Sequence, residues 1–172
     1  MTATKIKSAL SGLQPTVVWT HFANLCAIPR PSYREQALKR HLAAWADTHG
    51  IAHFEDAVGN LILHKPASPG CESAPGVILQ GHLDMVCQAN AGTEHDFERD
   101  AIRAVVKNGW VVAEDTTLGA DNGIGVALAL AALEAEVSDL RQRLRVTEDV
   151  NEIKELQWTY LNALMATEWE TC

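Results

Sequence analysis

Val77-Ile78-Leu79-Gln80-Gly81-His82-Leu83-Asp84-Met85-Val86 is the stretch on which the fold turns. Val77 to Leu79 is a continuous apolar run, and such a run suits a strand buried on both faces of a mostly parallel sheet. It leads directly into Gly81-His82-Leu83-Asp84. In open α/β sheets, ligands bind at the C-terminal ends of the strands. His82 offers an imidazole nitrogen to a metal there, and Asp84, two residues on, can orient that ring from its far side. A polar turn in which His82 is merely hydrogen-bonded is the other reading, because His-x-Asp is common.

Upstream, residues 16–27 place Val17, Phe22, Leu25 and Cys26 on one helical face, and Pro29 and Pro31 stop that helix. Ser32 with Glu35 three residues later reads as a capping box for a second helix over about 33–48. Apolar residues recur there at Leu38, Leu42 and Trp45, and Gly50 closes the helix. The period then changes. Ile51 to Phe54 and Leu61 to Leu63 read as short strands about a turn at Val58-Gly59-Asn60, and residues 66–75 as a Pro/Ser/Gly loop. Trp19, Trp45 and Trp110 are expected in the core.

Downstream, residues 88–103 are polar and irregular, and Trp110-Val111-Val112 is a strand candidate. Thr116-Thr117-Leu118-Gly119-Ala120-Asp121-Asn122-Gly123-Ile124-Gly125 places a carboxylate in a Gly-rich loop before an Ala-rich helix, residues 124–134. Glycine lets backbone approach a site closely, and a carboxylate has two oxygens with which to bridge two cations. The alternative is an ordinary helix N-cap at Asp121. Helices and strands in this order predict an α/β plan with an incomplete mixed sheet flanked by helices.

The chain has 172 residues, 47% of them apolar, with a formal net charge of −8. That composition supports a core rather than disorder. It offers no basic patch for nucleic acid or an anionic membrane. Cys26, Cys71, Cys87 and Cys172 form no CxxC pair, so reduced thiols are expected. No stretch has the length of a signal core or a membrane span, and a cytoplasmic location is the expectation.

Taken together, the two polar motifs and their flanks resemble the cytosolic aminoacyl-histidine dipeptidase family, a branch of the co-catalytic zinc peptidases. The resemblance covers residues 10–133. It rests on Ile28-Pro29-Arg30-Pro31-Ser32-Tyr33, Val58-Gly59-Asn60, Leu79 through Val86, His95-Asp96-Phe97 and Thr116 through Gly125, in the family's order and with about its spacing. It implies the N-terminal part of a peptidase catalytic domain, with Zn2+ as cofactor (two ions per complete site) and a dipeptide substrate, Xaa-His among the candidates. It implies His82 as a ligand of one metal, Asp121 as the carboxylate bridging both, and Asp84 as the catalytic-site carboxylate that supports His82. The family's general base is a glutamate in a Glu-Glu pair after Asp121, and its further ligands come later still, one of them a histidine. This sequence has no Glu-Glu pair after Asp121 and no histidine after His95. Glu134 and Glu136 sit on a charged helix and do not fill the role. The resemblance therefore implies a truncated or fused form, with little activity expected of the chain alone.

Beyond Glu134 the composition shifts to charge, which places a boundary between residues 1–134 and a helical tail of different origin, 135–172. Leu133, Val137, Leu140 and Leu144 form a coiled-coil-like stripe, and Val150, Ile153, Leu156, Tyr160 and Leu164 a second amphipathic run. The tail faintly resembles the opening helices of the SnoaL-like family, which transfers no function. Self-association through this C-terminal helix gives the rival expectation of a non-catalytic interaction module; a remnant with no selected function is the third. His21, His41, His49, His53 and His64 have no ligand spacing to one another and are expected in surface or core roles; Cys87 is expected as a small buried hydrophobe.

Overall fold

The computed structural model describes residues 9–68 and 70–134. The amphipathic runs beyond Glu134, the boundary near residue 135 and the tail lie outside the described residues. Among the described residues the named elements follow in the order α1 (Thr16–Cys26), α2 (Gln36–Thr48), β1 (Ala52–Glu55), β2 (Leu61–His64), β3 (Ala104–Lys107), β4 (Trp110–Ala113) and α3 (Ala120–Glu134). The class is mixed α and β, as the alternation of periods predicts.

Helix α1 buries Val18, His21, Phe22, Ala23, Leu25 and Cys26, and it packs on α3. The small side chains Ala23, Ala127 and Ala131, all in the core, let these two backbones approach closely. Phe22 fills the space between them and is fully buried. Val17 stays exposed, and Val18 takes its place on the inner face. Helix α2 presents Leu38, Leu42 and Ala46 inward. It starts at Gln36, later than the capping box predicts. The Glu35 carboxylate accepts from Tyr33 N at 2.7 Å, and the Ser32 hydroxyl is engaged elsewhere. The helix ends at Gly50, whose φ of 64° is left-handed and costs glycine little.

The strands form two separate antiparallel pairs. In the first, Ala52 faces His64 and Glu55 faces Leu61. The turn is organised by the Asp56 carboxylate, which accepts from Val58 N at 3.0 Å and from Asn60 N at 2.8 Å. These bonds, with that from the Asn60 side chain, hold Asp56 below the ordinary carboxylate value. Lys39 Nζ ties the hairpin to α2 through Glu55 at 2.6 Å. In the second pair, Lys107 faces Trp110 across a two-residue turn. Asn108 and Gly109 there both have positive φ, 53° and 80°, the conformation that matches strand twist in a tight hairpin.

Two expectations fail. Val77, Ile78 and Leu79 lie in no strand, and they are 67%, 92% and 54% exposed. A strand exists only when a neighbour takes its backbone hydrogen bonds, and among the described residues no ladder runs beside this segment. The only parallel pairing there is a single bridge from Pro31 to Met85. Trp110 is exposed rather than in the core, because it sits beside the hairpin turn; Trp19 and Trp45 do pack against the core.

Candidate metal centre

His82 and Asp84 sit on an irregular turn, and Asp121 sits just inside the start of α3. Asp121 and Asn122 have non-helical backbone, so the regular turns of the helix begin after them. The Asp121–Asn122 peptide is cis. The Asp121 carboxylate faces the imidazole: Oδ1 is 3.2 Å from His82 Nε2. The other ring nitrogen, Nδ1, is 3.0 Å from Asp84 Oδ1. All three residues singled out in the sequence are thus brought into one row, carboxylate–imidazole–carboxylate.

A neutral imidazole has one N–H and one lone pair. With Nδ1–H given to Asp84, the Nε2 lone pair faces the Asp121 oxygen, and two acceptors face each other unless a cation, proton or metal, lies between them. Asp84 is the better held of the two carboxylates. Its Oδ2 accepts from the Ser32 hydroxyl at 2.5 Å. That bond is the largest cause holding Asp84 below the ordinary carboxylate value; partial burial opposes it, and His82 adds to it. Asp121 is the exposed partner.

Buried Arg30 lies beneath the row, 2% exposed. Its Nη1 donates to the carbonyls of Leu83 at 3.0 Å and Asp84 at 3.3 Å, and its Nη2 to Gly119 at 2.7 Å. One guanidinium, with its fixed fork of donors, therefore joins the turn carrying His82 to the loop before Asp121. The glycines beside it are there for room. A Cβ on Gly119 would come within 2.6 Å of Arg30 Nη2, and one on Gly123 within 2.9 Å. Gly81 gives space to Asn122, whose Oδ1 a Cβ would meet at 2.7 Å. Sequence reasoning missed Arg30 and misplaced Ser32. An arginine between two prolines, just after an apolar helix, was the available signal.

The remaining histidines stay outside this row. His21 is buried against Glu134 at 2.5 Å, His53 pairs with Asp47, and His95 stacks edge-on against Phe97. Cys87 packs against the core, and burial pushes its thiol up.

The curated cytosol non-specific dipeptidase of Escherichia coli (strain K12) is 49% identical over 129 residues, 75% of this chain and 27% of the relative. The crystal structure of aminoacylhistidine dipeptidase from Vibrio alginolyticus matches with a TM-score of 0.72 and 45% identity, over 74% of this chain and 26% of that one. Over its matched part this chain is similar to these dipeptidases, consistent with a partial M20 dipeptidase. The chain spans about a quarter of the length of these dipeptidases. No protein-family model matches the sequence.

Zinc suits the donors in kind and in spacing. Two ligands each about 2.0–2.1 Å from a tetrahedral ion stand roughly 3.3 Å apart, close to the 3.2 Å between His82 Nε2 and Asp121 Oδ1. It does not suit them in number. Such sites take three or four protein donors, and among the described residues no group of three or more His, Cys, Asp or Glu is placed to hold a metal. The pair fits as part of a zinc site and not as a whole one.

Proposed function

We propose that residues 1–134 carry the opening part of a two-zinc dipeptidase catalytic domain and that residues 135–172 are a separate helical addition. The substrate class is a dipeptide, Xaa-His among the candidates, and the location cytoplasmic. Among the described residues no helix is long and apolar enough to cross a membrane. The observation that carries the reading is the His82 ring bracketed by Asp84 on Nδ1 and Asp121 on Nε2. In this reading His82 is a ligand of one zinc, Asp121 the carboxylate that bridges both, and Asp84 the group that fixes the ring. Zinc supplies Lewis acidity, polarising the scissile carbonyl and lowering the pKa of water. This chain's residues bind and orient. Within this sequence no Glu-Glu pair follows Asp121, and general-base catalysis contributes about 10²–10⁴-fold. Weak zinc binding and little turnover are therefore expected of the chain alone.

The test is hydrolysis of a dipeptide panel, including Xaa-His, by the purified chain with Zn2+, Mn2+ or Co2+, beside direct zinc titration. Zinc binding by the chain that His82→Ala and Asp121→Ala both abolish supports the reading; binding indifferent to both substitutions overturns it. Turnover that depends on both residues would show that the tail or a second chain supplies the missing base.

The exposed Val77–Leu79 segment favours one further reading, an interaction module that self-associates through the tail. A soluble monomer after deletion of residues 136–172 would end that reading.

A further inference from the structure

Three consecutive residues grip the turn that holds His82. Met85 N donates to Arg30 O at 3.1 Å, Pro31 bridges Met85 in parallel register, and Ser32 Oγ donates to Asp84 Oδ2 at 2.5 Å. The first two contacts fix backbone. The third reaches a side chain that itself touches the imidazole.

A carboxylate held at one oxygen can still turn about its last torsion, which is broad and roughly two-fold. Held at both, it cannot. Asp84 accepts from Ser32 on Oδ2 and faces His82 Nδ1 with Oδ1. The Ser32 bond joins a hydroxyl to an ionised acceptor, which makes it one of the stronger kinds. Helix capping does not account for Ser32, since α2 starts at Gln36, has Glu35 at its N-cap position and shows no side-chain cap bond.

We propose that Ser32 is a positioning residue for His82: by pinning Asp84 it fixes the imidazole in the Nδ1–H tautomer and points Nε2 at Asp121. The inference rests on the reading of His82 as a zinc ligand for its purpose, though not for its geometry. Groups that orient a metal-binding histidine from its far side change affinity by about 10–100-fold when removed.

The experiment uses the full chain with Ser32→Ala, Ser32→Thr and His82→Ala. The first readout is the 15N spectrum of the His82 ring in metal-free protein at one fixed, mildly alkaline pH. Nδ1–H should dominate in the parent and in Ser32→Thr, and give way to a mixture of tautomers in Ser32→Ala. The second is zinc affinity measured by chelator competition. It should fall at least tenfold in Ser32→Ala and recover in Ser32→Thr. An unchanged tautomer in Ser32→Ala overturns the proposal, and so does a loss of affinity that Ser32→Thr fails to restore. Zinc affinity unaffected by His82→Ala defeats the ligand reading instead, while the tautomer comparison still decides the role of Ser32.

Discussion

At the scale of single residues, the His82–Asp84 contact was legible because it is local, two residues apart. Asp121, 39 residues on, was joined to it only by the family resemblance. Ser32 and Arg30 were not legible, because their partners, Asp84 and Gly119, are 52 and 89 residues away. A short-range signal, Glu35 three residues after Ser32, pointed to a cap instead. Cys26 shows what burial does to a thiol: it is pushed up from 9.0 to about 12, with the Arg30 charge opposing the shift. The folded state thus holds the proton more tightly than the unfolded chain. Stability is unaffected below pH 9, and is lost as pH rises from about 9 towards about 12, where the unfolded thiol ionises and the folded one does not. Urea midpoints measured across that range should fall in the parent and fall less steeply in Cys26→Ala.

Among the elements, the helices were read nearly in full, because a 3.6-residue apolar period survives without knowledge of the partner. The second hairpin was read by half. Trp110-Val111-Val112 reads as a strand and Ala104 to Lys107 does not, although Asn108-Gly109 between them is among the strongest short hairpin signals. Packing of α1 on α3 makes a direct prediction. Phe22→Ala removes the fully buried ring and should cost about 3–5 kcal/mol in denaturant unfolding. The loop before α3 makes another. Gly119 has φ 67° and no room for a Cβ, so Gly119→Ala should cost about 1–3 kcal/mol from backbone strain alone, read as a lowered thermal midpoint. A midpoint equal to the parent's would mean that the loop accepts alanine by shifting its backbone out of the left-handed region.

For the molecule as a whole, the class was legible and the sheet was not. An apolar run states that a strand wants neighbours on both sides; it does not supply them. Val77, Ile78 and Leu79 remain exposed, and their backbone is the kind of open edge that pairs with other chains. Light scattering of the purified protein should show association that grows with concentration, and Ile78→Lys should reduce it; association unaffected by that charge would place the contact elsewhere. Arg30 joins the His82 turn to the loop before α3. Its crowding of Gly123 makes the two positions answer to each other during sequence drift. Gly123→Ala should be more harmful beside arginine than beside the slimmer methionine, with Phe22 Cε2, 3.1 Å from an added Cβ, contributing a cost in either background, a non-additivity of about 0.5–3 kcal/mol in a double-mutant cycle. The order of substitution then matters: losing the arginine first lowers the cost of losing the glycine.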